Sequence, residues 1–197
     1  MNNAPVILIV SAPSGCGKGT ILGRVFNEKD VFMSVSCTTR GPREGEIDGV
    51  HYNFWSEDKF NRLVEEDGFL EHAEVHGHLY GTPRQPVLDE LEAGRSVMLD
   101  IDPQGALQVM EKMPGCVSVF ILPPSFSELR SRLEKRGTET REEIERRLNN
   151  ARGEVALRDH YQYLVVNDDL EIAVNTLQGI VNAEKQRSCR YFPIVGE

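Results

Sequence analysis

Val6-Ile7-Leu8-Ile9-Val10, followed one residue later by Ala12-Pro13-Ser14-Gly15-Cys16-Gly17-Lys18-Gly19-Thr20, is the stretch that decides the fold. A short apolar, β-branched run reads as a strand buried on both faces, and a glycine-rich turn carrying one lysine reads as a backbone cradle for phosphate. Small residues let successive N–H groups curl around phosphate oxygens. The helix that follows offers its positive end, and Lys18 adds a mobile charge for the β- and γ-phosphates of a nucleotide. The Thr20 hydroxyl is placed to meet Mg2+. The pattern G-x-x-x-x-G-K-[ST] is departed from twice, at Ala12, which adds one methyl, and at Gly19, which moves the hydroxyl to Thr20. A plain strand-turn-helix corner does not explain three glycines in the five residues around this lysine.

Outward from the loop, strands and helices alternate, which argues for an α/β fold with a parallel sheet. The spacing predicts helices over Lys18–Asn27, Gln85–Glu92, Gln104–Lys112, Ser125–Lys135, Glu142–Ala156 and Leu170–Gln186. Strands are expected at Phe32–Val35, Ser96–Asp100, Val117–Leu122 and Tyr163–Val166. Residues 36–82 break this rhythm. They are rich in glycine, aromatics and mixed charge, and read as an insertion of short antiparallel strands bearing a second binding surface. Trp55, Phe54 and Phe69 are expected in its core.

Composition narrows the function. The 197 residues carry a net charge of −9, which leaves no basic stripe for a nucleic-acid backbone or an anionic membrane. Four cysteines without C-x-x-C spacing, one of them inside the loop, fit reduced thiols in the cytoplasm. The five-residue apolar run at the N-terminus is far short of a secretory or spanning segment. His72, His76 and His78 lie close together, but no further ligand completes a zinc spacing.

The insertion holds Ser36-Cys37-Thr38-Thr39-Arg40-Gly41-Pro42-Arg43, then Tyr52, Glu71 and Tyr80-Gly81-Thr82. Two arginines three apart, with two tyrosine hydroxyls downstream, can clamp a phosphate monoester, since guanidinium planes match phosphate oxygens bidentately. A solvated basic loop is the other reading. Ser36-Cys37-Thr38-Thr39-Arg40-x-x-Arg43-x-Gly45-Glu46, Gly49-x-x-Tyr52-x-Phe54, Phe69-Leu70-Glu71-His72-Ala73-Glu74, Leu99-Asp100-Ile101-Asp102-Pro103-Gln104-Gly105 and Val166-Asn167-Asp168-Asp169 follow one another in the order found in guanylate kinases, and the chain resembles that family to about Glu184. The Gly-Lys-Gly-Thr ending of the phosphate loop is similar to that of adenylate kinases.

The guanylate kinase resemblance implies a P-loop kinase fold: a parallel β-sheet core flanked by helices, a small mixed α+β GMP-binding insertion and a helical lid. It implies one domain laid out as core (1–35), insertion (36–94), core (95–125), lid with flanking helices (126–158) and core (159–197). The implied activity is transfer of the γ-phosphoryl group of MgATP to GMP. ATP phosphates would lie on Ala12 to Thr20, with Asn167 near the ATP base. GMP would be held by Ser36, Arg40, Arg43, Tyr52, Glu71, Tyr80, Thr82 and Asp102. Glu71 and Asp102 would accept from the guanine N1–H and 2-amino group, and the hydroxyls would face O6. Lys18, Arg132, Arg136 and Arg147 would serve transfer, the last three from a lid. Mg2+ would meet Thr20 and Asp100 through water. The duller readings remain: Glu71 as a surface acid, Asp102 as the cap of the helix near Gln104, and Arg130, Arg141 and Arg146 as exposed helix charges in ion pairs. A kinase for another monophosphate, or a non-catalytic interaction module of the same build, are the alternative functions.

Overall fold

The computed structural model describes residues 2–25, 31–75, 77–137 and 140–192. The chain runs β1 (Asn2–Asn3), β2 (Ile7–Ser11), α1 (Lys18–Val25), β3 (Val31–Met33), β4 (Cys37–Thr38), β5 (Asn53–Phe54), α2 (Glu57–Glu65), β6 (Phe69–Val75) and β7 (His78–Pro83). It continues through α3 (Arg84–Glu92), β8 (Ser96–Asp100), α4 (Pro103–Lys112), β9 (Val117–Leu122), α5 (Phe126–Arg136), α6 (Arg141–Val155), a 3-10 turn (Arg158–His160), β10 (Tyr163–Val166), α7 (Leu170–Lys185) and β11 (Tyr191–Phe192).

Five strands form the main sheet in the order β10-β9-β2-β8-β3, and every neighbouring pair is parallel. All of β2 is buried, as a parallel strand covered by helices on both faces must be. Its side chains alternate between two cores. Leu8 and Val10 join Ile21, Leu129, Leu148 and Leu177 from the helices on one face. Ile7 and Ile9 join Val87, Ala106, Val109 and Phe120 on the other. The central position of β2 puts the loop after it, Ala12 to Gly17, at the carboxyl edge of the sheet, where ligands of such folds bind.

Local chemistry starts the helices. Asp102 caps α4 by accepting from Gly105 N–H at 2.9 Å, with Pro103 in the first turn, a position that costs proline nothing. Thr140 and Glu143 form a reciprocal capping box on α6. Gly137 ends α5 in the left-handed conformation.

The insertion has the α+β build that the resemblance implies, and its sheet departs in one respect from the reading of residues 36–82 as short antiparallel strands. Its four-stranded sheet, ordered β5-β4-β7-β6, is mixed: β4 pairs with β5 in parallel, and only the other two pairs are antiparallel. The chain between β4 and β5 makes a long excursion through turns, so β5 returns alongside β4 in the same direction. The segment also contains a helix, α2, capped by Ser56 and bearing Glu57 and Asp58 in its first turn. Its single apolar stripe, Phe60, Leu63 and Val64, is short and embedded among acids, which hides the period. Phe60 is fully buried and stacks on Phe69 at 4.5 Å, with Trp55 packed against the pair. Phe54 is not part of that core; it lies on the opposite side, under the Arg40 guanidinium. β1 and β11 pair antiparallel near the two ends of the chain. The predicted end of α1 near Asn27, the turn at Thr138-Glu139, His76 and the segment Pro193 to Glu197 lie outside the described residues.

Candidate active site

Two groups of side chains meet at the carboxyl edge of the main sheet. The first surrounds the glycine-rich loop. Gly17 has φ +82°, and a Cβ there would stand 2.7 Å from the Asn167 amide nitrogen, so only glycine lets the loop close against that side chain. Lys18, in the first turn of α1, donates to the Ile101 carbonyl at 3.1 Å and pairs with the Asp100 carboxylate at 2.5 Å. That holds the ammonium between the end of β2 and the end of β8. Thr20 is exposed two residues along, in the same turn. The half-buried Glu154, from the end of α6, stands near Ser14 of the loop; burial raises its carboxyl and the Ser14 N–H opposes the rise. Sequence reasoning does not single it out, because nothing in its surroundings distinguishes it from the other acids of that helix.

Asn167 stands behind the loop. It is buried, and its side-chain amide donates to the Cys16 carbonyl at 2.7 Å. It therefore supports the loop from behind, while its own carbonyl accepts from Arg132 at 2.9 Å. One N–H of the side-chain amide is thereby committed to the loop backbone. Asn167→Ala leaves a buried carbonyl unpaired, a cost of about 1–3 kcal/mol. We expect a lower melting temperature and a raised KM for ATP with KM for GMP unchanged; equal shifts in both KM values would contradict this placement.

Arg132 is half-buried, with Nε on Glu128 at 2.9 Å beside its contact to Asn167. It thus sits at the exit of β10, next to the phosphate loop. Arg147 is half-buried on α6. Arg136 closes α5, and its side chain lies outside the described residues. Arg130 forms a forked pair with Glu145 at 2.6 and 2.9 Å, which ties α5 to α6 and matches the ion-pair reading of that residue. Cys16 is buried, and loss of solvent pushes its thiol up to about 12, so it remains protonated and a poor nucleophile.

The second group stands on the insertion. Glu71, on β6, is buried and accepts from the Thr82 hydroxyl at 2.6 Å; Thr82 in turn lies 3.3 Å from Ser36. The backbone of α4 runs directly behind the carboxylate. A Cβ on Gly105 would fall 2.5 Å from Glu71 Oε2, so the glycine gives the carboxylate its room. Burial is the main force raising the Glu71 carboxyl to about 7; the Thr82 hydroxyl opposes it, the Asp102 charge adds to it and Lys112 opposes it. Glu71 is therefore no surface acid. Asp102 is exposed and spends one oxygen on the α4 cap, as the capping alternative requires, while its charge still reaches Glu71.

Arg40, Tyr52 and Tyr80 come together a short way along the same sheet. Arg40 Nε donates to the Tyr80 hydroxyl at 3.1 Å, and the two tyrosine rings meet edge to face at 5.9 Å. The charge of Asp100 is felt at the Tyr52 hydroxyl, so this cluster looks toward the end of β8 that also carries the Lys18 pair. Arg43 is exposed on the loop beside them. Among the described residues no cluster of three or more His, Cys, Asp or Glu could hold a metal, and no helix is long and apolar enough to cross a membrane.

A parallel sheet whose central strand opens into a glycine-rich loop, with a lysine held over the neighbouring strand end, defines a P-loop phosphate-binding protein. The chain belongs to the guanylate kinase family, whose family model, described as guanylate kinase, matches residues 4–184. It is 51% identical to a guanylate kinase of Caldanaerobacter subterraneus over 92% of this chain and 89% of the relative. It is 49% identical to a guanylate kinase of Clostridium perfringens over 94% of this chain and 87% of the relative. The crystal structure of guanylate kinase from Anaplasma phagocytophilum superposes with a TM-score of 0.77 at 37% identity, covering 95% of this chain and 90% of that one.

Proposed function

We propose that this chain transfers the γ-phosphoryl group of ATP to GMP, giving ADP and GDP, and that the two groups of side chains described above are the two halves of that site. The observation that carries the reading is the buried Glu71 carboxylate, held by Thr82 and backed by Gly105, within a guanylate kinase family chain. Guanine offers two donors, N1–H and the 2-amino group, to Glu71 and Asp102, and its O6 accepts from a hydroxyl of the Ser36–Thr82 pair. Adenine lacks the N1–H and would leave a buried carboxylate unpaired, at a cost of about 1–3 kcal/mol or more. Arg40, Arg43, Tyr52 and Tyr80 hold the GMP phosphate and orient an oxygen that is already anionic, so no general base is required.

On the other side, N–H groups of the loop from Ala12 to Thr20 cradle the ATP phosphates, and the Lys18 ammonium leaves Asp100 to follow the transferring group. Arg132, Arg136 and Arg147 add positive charge as the phosphoryl passes. Transfer of this kind demands position and charge neutralisation more than covalent chemistry. Thr20 and Asp100 are hard oxygen donors of the sort that accompany Mg2+ at nucleotide phosphates, and the ion, when bound, neutralises phosphate charge. The four unpaired cysteines fit a reducing compartment, the cytoplasm. ADP release in the presence of MgATP, measured with and without GMP, tests the reading: we expect release to depend on GMP, and release at the same rate without it would refute the assignment.

A further inference from the structure

Glu46 has no part in the reading of the site so far, yet it makes three polar contacts with Arg40 and Arg43, the two arginines read as the GMP phosphate clamp. Its two carboxylate oxygens face the Arg40 guanidinium as a fork, at 2.9 and 3.0 Å. One of them also accepts from the Arg43 backbone N–H at 2.7 Å. The two side chains of the pair are only 12% and 18% exposed. The Arg40 pair draws the Glu46 carboxyl down to about 2, and the Arg43 N–H adds to this. The carboxylate is charged at every pH at which the protein would work.

A guanidinium has five N–H donors, and those of Arg40 can be counted. Nε–H goes to the Tyr80 hydroxyl at 3.1 Å, and Nη1 serves both the Gly41 carbonyl at 2.6 Å and Glu46. One hydrogen of Nη2 goes to the other Glu46 oxygen. Four are spent and one remains. The guanidinium also lies 5.7 Å from the Tyr52 ring centre and 5.9 Å from that of Phe54, which fixes its plane. Arg43, exposed on the same turn, contributes only its backbone to these hydrogen bonds.

We propose that Glu46 is a positioning residue that anchors Arg40 with a single N–H left for the substrate phosphate, so that the forked contact falls to Arg43. This rests on reading the Arg40–Tyr80 cluster as the seat of the GMP phosphate. Arg40 then acts as a rigid post that aligns the Tyr80 hydroxyl, whose own hydrogen is free to donate because its oxygen accepts from Arg40. Arg43 supplies the mobile grip.

The test compares Glu46→Gln, Glu46→Asp and Arg43→Lys with the wild type. Glu46→Gln is expected to raise KM for GMP about tenfold, the size of one charge-assisted hydrogen bond, with kcat and KM for ATP within about twofold. The inhibition constant of guanosine against GMP stays unchanged, because guanosine has no phosphate to position. Glu46→Asp restores the charge and recovers part of the loss. Arg43→Lys keeps a charge but loses the fork, and raises KM for GMP at least as far as Glu46→Gln. Unchanged or lowered KM for GMP in Glu46→Gln, guanosine inhibition weakening in parallel with GMP, or an indifferent Arg43→Lys would each overturn the proposal. If Glu46→Gln does not fold, judged by its melting curve, a folded Glu46→Asp variant, whose shorter arm cannot keep both contacts to Arg40 in place, with KM for GMP unchanged from wild type would overturn it equally. A wild-type protein silent toward GMP would instead refute the functional reading itself.

Discussion

Lys18→Ala is expected to lower kcat by at least about a hundredfold while GMP still binds with wild-type affinity. The lysine ammonium is held over the end of β8, bonded to Asp100 and the Ile101 carbonyl, and on the proposed mechanism its charge follows the γ-phosphoryl group. Losing one preorganised electrostatic partner of a transition state costs about 10²–10³ in rate. The fold should tolerate the change. The Lys18–Asp100 pair is partly exposed, at 20% and 39%, and such pairs contribute about 0–1 kcal/mol. On the proposed reading GMP is held on a different sheet, through Glu71, Thr82, Arg40 and Tyr80, none of which bonds to Lys18. Steady-state rates with direct GMP binding separate the effects, and loss of both activities together would contradict the division into two half-sites.

Glu71→Gln is expected to do two opposite things. It should raise KM for GMP by about ten- to a hundredfold, the loss of a hydrogen bond to a charged acceptor, and narrow the preference for GMP over AMP. It should also make the protein more stable at pH 8. The wild-type carboxyl is raised from 4.5 to about 7 by burial, so the folded state binds this proton more tightly than the unfolded one. The stabilisation is present in full below 4.5 and is lost as pH rises to 7, with a total on the order of 3 kcal/mol. Glutamine has no charge to bury and keeps an oxygen for Thr82. The melting temperature of the wild type should therefore fall relative to the variant between pH 5 and pH 8. In catalysis the sign reverses: protonation below pH 7 removes an acceptor, so KM for GMP rises as pH falls in the wild type. GMP's own phosphate titrates near pH 6, and the difference between wild type and Glu71→Gln isolates the carboxylate. Parallel pH profiles would remove Glu71 from base recognition.

The parts of the fold that are legible in the sequence are those where one local signal dominates. Ser96–Asp100, Val117–Leu122 and Tyr163–Val166 are strands at the residues where their apolar runs place them; the first two are inner strands whose middles are buried, which leaves no competing period, and the third is a short β-branched edge strand with Leu164 and Val166 exposed. Helices α4 and α5 begin beside the caps Asp102 and Ser125 that announce them. Helix α2 is concealed because three apolar residues in nine satisfy several patterns, and only the tertiary contact of Phe60 with Phe69 decides among them. The parallel course of β4 and β5 is set by how the intervening loop folds back, which no short-range signal encodes. Within the site, residue types point to chemistry but not to which atoms are already occupied. Asn167 suits a base contact by type, and only the structure shows that its amide also braces the Cys16 carbonyl. Glu46 looks like one more acid in an acidic chain until the donors of Arg40 are counted.

The central claim is that a buried carboxylate on the insertion chooses the base while the glycine-rich loop, at the other end of the site, holds the phosphoryl donor. The ratio of kcat/KM for GMP to that for AMP, measured side by side at saturating MgATP, tests it most directly. We expect GMP to be preferred by at least about a hundredfold, the value of about 3 kcal/mol in discrimination. A ratio near one would contradict the account.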